Sequence, residues 1–68
     1  MMDFVVYEDL YQVPPHVAFS CLIDGNEEVL RLSYDDPDRY NFLDDPAGNS
    51  YIEKEYLIEC GPFTVLDF

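Results

Sequence analysis

Apolar and β-branched residues fall in short runs along this chain, broken by Pro, Gly and Asp, and within most runs the period is two. The segment Asp3–Val13 opens with Asp3-Phe4-Val5-Val6-Tyr7, rich in β-branched and aromatic residues, which predicts a first strand. Pro14-Pro15 ends it, because neither residue can donate a ladder hydrogen bond. Next comes the clearest local signal: an apolar run over His16–Ile23, then Asp24-Gly25-Asn26, then Glu27–Tyr34. The Asp-Gly pair supplies the positive φ values of a tight hairpin turn. Beyond it Leu30, Leu32 and Tyr34 alternate with Val29, Arg31 and Ser33, which sets the large apolar residues on one face. Removing Leu30 or Leu32 is therefore expected to unfold the chain.

Asp35–Ser50 is polar and rich in turn residues. Asp36-Pro37 reads as an N-cap followed by proline at the first helical position, predicting a short helix over Asp38–Leu43 that stops near Pro46 and Gly48. Ser50–Cys60 supports two readings. Ser50 and Glu53 fit a capping box and Gly61-Pro62 a helix stop, giving a helix over 51–60. Against that, Ile52, Tyr56, Ile58 and Cys60 take even positions and Glu53, Glu55 and Glu59 odd ones, with Lys54 and Leu57 as the breaks. The alternation favours a strand. Phe63–Phe68 is strand-like after a turn at Gly61-Pro62. The expected fold is mainly β: one domain over residues 1–68, with a small antiparallel sheet or partly closed barrel of four to five strands and one short helix. Barrel closure would remove exposed edges. If 51–60 is helical, the class becomes α+β.

Composition decides whether such a chain folds at all. Hydrophobic residues make up 49% and aromatic residues 16%, more than disorder tolerates. Charge then changes the picture: fifteen Asp and Glu face three Lys and Arg (Arg31, Arg39 and Lys54), for a formal net charge of −12. A folded chain of this length has a radius of gyration of about 11 Å. Over the corresponding width the net charge amounts to about one per 2.3 Å, close to the roughly 1.7 Å of axis per charge in duplex DNA. Such self-repulsion is relieved by salt or by a cationic partner.

The same charge, with the motifs the chain lacks, narrows the chemistry. Direct binding of nucleic acid is excluded by sign, and an anionic membrane would repel this surface. There is no signal-peptide pattern at Met1-Met2-Asp3-Phe4 and no apolar run of membrane length, so a cytoplasmic protein is expected. Cys21 and Cys60 then read as reduced core residues, with a disulfide between the two halves as the alternative. A Cys–His nucleophile would need an electropositive setting, which this chain does not offer His16 and Cys21. Paired carboxylates abound, but a solvated acidic surface explains them better than a hydrolase does. Zinc spacing is absent. The aspartates of 35–49 suggest calcium as a weaker option, yet an EF-hand register begun at Asp36 fails at Tyr40 and Asn41. Neither an enzymatic activity nor a cofactor is expected.

What remains is acidity arranged around aromatics. Asp35, Asp36, Asp38, Asp44 and Asp45 form one cluster, and Glu53, Glu55 and Glu59 would line one face if Ser50–Cys60 is a strand. Tyr40 and Phe42 lie within the first cluster and would add contact area to an interface that engages Lys and Arg. In size and charge the whole chain resembles the phage-encoded DNA-mimic inhibitors, which include anti-restriction, anti-CRISPR and glycosylase-inhibitor proteins. It also resembles acidic immunity proteins that neutralise basic nucleases. No motif carries the resemblance, so it transfers no binding residues. It implies a basic partner, a nucleic-acid-binding enzyme or complex. A second reading is an acidic interaction module that binds through a β-edge and aromatics, and salt dependence separates the two.

Overall fold

The computed structural model describes residues 4–45, 47 and 49–66. Six strands run through it: β1 (Phe4–Tyr7), β2 (Phe19–Ile23), β3 (Asn26–Leu32), β4 (Arg39–Phe42), β5 (Tyr51–Glu53) and β6 (Phe63–Leu66). A short helix, α1 (Lys54–Leu57), continues into a 3-10 turn over Ile58–Cys60, and a second 3-10 turn spans Leu10–Gln12. The described residues contain no helix long and apolar enough to cross a membrane.

The hairpin forms where the Asp-Gly signal lies. Asp24 and Gly25 hold φ 54 and φ 82, the two left-handed conformations that a two-residue turn of this kind requires. Ile23 and Asn26 pair directly across it, and the register runs back to Phe19 opposite Leu30. From this hairpin the sheet grows in both directions, in the order β1-β6-β2-β3-β4-β5 with every pairing antiparallel. The C-terminal strand β6 thus sits between β1 and β2, tying the two ends of the chain together. The sheet is open, with β1 and β5 as its edges. The class is mainly β, as the periodicity predicts, with six strands where four to five are expected and one short helix, and the sheet does not close into a barrel.

Register fixes the core. Val5, Val65, Phe19, Leu30 and Phe42 are successive partners across five strands and therefore share a face. Phe19, fully buried, meets Tyr40 and Phe63 edge-on at centroid distances of 5.7 and 5.6 Å, the geometry that aromatic quadrupoles prefer. Leu10 from the first 3-10 turn and Leu57 from α1 pack into the same cluster. Leu30 is fully buried, whereas Leu32 is only partly so. The extents are 32 × 23 × 22 Å and the radius of gyration is 11.1 Å, as the length implies.

Two stretches depart from the sequence expectation. Asp38–Leu43 is not helical: β4 occupies most of it. Asp36 does cap, but its Oδ1 accepts from the Asp38 N–H at 2.9 Å in a turn, not at a helix start. Tyr40 and Phe42, two apart, then pair with Leu32 and Leu30 and bury against the core. Completing β3's exposed side outweighs the local capping preference. In Ser50–Cys60 each reading holds for part of the segment. Tyr51–Glu53 is strand, and the chain turns helical at Lys54. Leu57, one of the two breaks in the alternation, is the buried residue of that helix. Ser50 does not cap it; Glu53 stands at the N-cap position and makes no side-chain bond there. The first strand also ends early, at Tyr7, because Asp9 caps the 3-10 turn by accepting from the Tyr11 N–H at 3.0 Å.

Candidate functional site

The site begins with where the positive charges go. Each of the three lies over a tyrosine ring. The Lys54 Nζ is 4.7 Å from the Tyr11 centroid, Arg39 Cζ is 4.3 Å from that of Tyr51, and Arg31 Cζ is 5.5 Å from that of Tyr34. Tyr34 in turn stacks on His16, with centroids 4.4 Å apart and planes 6° from parallel. Among the described residues a single ion pair forms, Arg39 Nε to Asp36 Oδ2 at 3.3 Å. Both partners are solvent-accessible, so it contributes little. No described carboxylate is buried. Electrostatically, the acidic surface is almost uncompensated.

Folding joins parts of the two acidic clusters that the sequence keeps apart. The Lys54 N–H donates to the Asp38 carbonyl at 2.8 Å, which fixes the β3–β4 loop against the start of α1. Arg39 and Glu53 are cross-strand partners. Asp38, Glu53 and Glu55 therefore surround one hollow of about 400 Å³, completed by Tyr11, Lys54 and Ile58. Asp35 and Asp36 precede Asp38 on the same loop, their N–H groups held by the Ser33 hydroxyl at 3.2 and 3.3 Å.

The remaining predicted residues lie elsewhere. Asp44 and Asp45 lie past the other end of β4 and, with Glu28, Phe42 and Ser50, line a shallow second hollow. Asp45 is committed locally, its Oδ1 accepting from the Ala47 N–H at 3.1 Å. Glu59 sits in the 3-10 turn beside Glu8, Gly61 and Pro62. Glu53, Glu55 and Glu59 hence form no row along a strand: the first ends β5, the second belongs to α1 and the third lies beyond it. Tyr40, expected as contact area, is 8% exposed and belongs to the core, and Phe42 is half-buried against it. The aromatic surface is supplied instead by Tyr11, Tyr34, Tyr51 and Tyr56. Tyr11 is the participant that sequence reading misses. Its partner Lys54 is remote along the chain, and only the folded sheet brings them together.

Both cysteine thiols are shifted toward the protonated form. Burial, with Cys60 and Glu28 nearby, pushes the Cys21 thiol up to about 11. Partial burial, Asp24 and Glu59 raise that of Cys60. Both cysteines are free thiols. The Tyr56 hydroxyl donates to Asp24 Oδ1 at 3.0 Å, and that bond to a carboxylate raises its pKa. Among the described residues no group of three or more His, Cys, Asp or Glu side chains is placed to hold a metal ion. The arrangement can attract and orient cations. No protein-family model, no curated protein and no solved structure matches the chain.

Proposed function

We propose that this chain is a non-enzymatic inhibitor that binds the basic, nucleic-acid-binding surface of a partner protein, taking the place of DNA or RNA. An anti-defence protein or a nuclease-immunity protein would act in this way. The supporting observation is the placement of the three cations on tyrosine rings, which leaves Asp38, Glu53 and Glu55 without an ion-pair partner around one hollow. A basic partner would meet negative charge at near-duplex density.

The test is capture of a partner from host lysate on the immobilised chain, with elution along a salt gradient. A nucleic-acid enzyme released at moderate salt, and displaced by added DNA or RNA, is the expected result. Asp38→Lys and Glu55→Lys should then weaken binding by about tenfold or more, since neither side chain holds the fold together. A partner that survives high salt and ignores nucleic acid would refute the proposal.

A further inference from the structure

The two edges of the sheet are unequally defended. β5 has three residues, ends in Glu53, and carries Tyr51 beneath the Arg39 guanidinium. β1, only one residue longer, carries no charge, proline or bulge. Its four residues are Phe-Val-Val-Tyr, and its register with β6 is unbroken from Phe4 to Tyr7. Among the described residues β6 is its sole strand partner, so its outer edge is free. Val5 and Val6 point to opposite faces and are 45% and 57% exposed. Immediately beyond the strand, Glu8 and Asp9 are exposed, and Glu8 shares a hollow with Glu59.

We infer that β1 is a strand-addition site for a partner segment with apolar residues at alternate positions and lysine or arginine on their N-terminal side. Antiparallel pairing, the pattern of every neighbour in this sheet, places that N-terminal side against Glu8 and Asp9, which directly follow β1. The added strand completes the backbone hydrogen bonds of the edge, and its cations supply the direction. A second copy of this chain fits poorly: it brings a further −12, and its own Phe4–Tyr7 is bracketed in sequence by Asp3 and by Glu8-Asp9. β1 and β5 are opposite edges in the strand order, although the Glu8 end of β1 adjoins the hollow of Asp38, Glu53 and Glu55 through Ile58; the inference does not rest on the proposal made for that hollow.

Two synthetic peptides of identical composition test it, Lys-Lys-Lys-Thr-Val-Thr-Val-Thr and Thr-Val-Thr-Val-Thr-Lys-Lys-Lys, titrated into the isotope-labelled chain. The first should shift the backbone signals of Val5, Val6 and Tyr7, slow exchange of the outward amides, and bind about tenfold more tightly than the second. Amide exchange in the free chain shows which of Val5 and Val6 directs its N–H outward. Proline at that position (Val5→Pro or Val6→Pro) should abolish binding while Asp38→Lys leaves it intact. The peptide comparison uses the unaltered chain, so a proline variant that fails to fold leaves the test standing. Equal affinity for the two peptides, shifts centred on Asp38, Glu53 and Glu55, or concentration-dependent protection of β1 in the free chain would each overturn the inference.

Discussion

Cys21 shows how one buried side chain couples this acidic molecule to pH. It is packed beside Phe19 and Leu30 in the core, and its thiol is held up to about 11 against an ordinary value of 9.0. Below pH 9 the thiol is protonated in both the folded and unfolded chain. Between about pH 9 and 11 the unfolded chain gives up the proton and the folded one keeps it, so stability falls as pH rises through that window. The loss amounts to about 2–3 kcal/mol, readable as the pH dependence of urea unfolding. Cys21→Ala should flatten that slope while lowering stability at neutral pH. A slope that survives the substitution would assign it to Cys60, Tyr40 and Tyr56, whose pKa values are also raised. That Cys21 is a buried thiol was readable from its apolar run. The role of Tyr40 was not, because an aromatic among aspartates reads as surface until pairing with Leu32 and Ile52 turns it inward.

At the scale of elements, the β2–β3 hairpin is the part most legible in the sequence, since its turn depends on two adjacent residues and a regular alternation. Gly25 sits at φ 82, and a methyl group added there would meet nothing within 4 Å. Gly25→Ala should therefore cost about 1–2 kcal/mol from backbone conformation alone. Gly25→Asn should cost less, because asparagine tolerates the left-handed region. Thermal denaturation of the two variants measures the difference, and equal losses would mean that the turn relaxes to another type. β4 and α1 were less legible for a shared reason: each owes its form to a distant partner. Arg39–Phe42 is extended because β3 needs a neighbour, and Lys54–Leu57 coils so that Leu57 reaches the core. Local signals such as Asp36-Pro37 describe the turn correctly without revealing the strand beyond it.

For the whole molecule, charge and topology oppose each other. The chain ends are held together by β6 lying between β1 and β2, while fifteen acidic residues repel one another across a body no longer than 32 Å. Raising ionic strength should stabilise the fold; a gain of about 1 kcal/mol would raise Tm by about 4–8 °C. A scanning-calorimetry series in sodium chloride would show it, and a Tm independent of salt would mean that the carboxylates repel less than their number implies. The merging of Asp38 with Glu53 and Glu55 belongs to this scale too, which is why the sequence showed two clusters where the fold makes one site.

The stacking of Lys54, Arg39 and Arg31 on tyrosine rings has a thermodynamic corollary. Charge that is not neutralised from within must be neutralised by the solution, so the free protein travels with a cloud of loosely held sodium or potassium ions. A partner whose lysines and arginines replace that cloud sets the ions free into bulk water. Complex formation of this kind draws its favourable free energy from the entropy of the released ions, and calorimetry would see it as association with little heat.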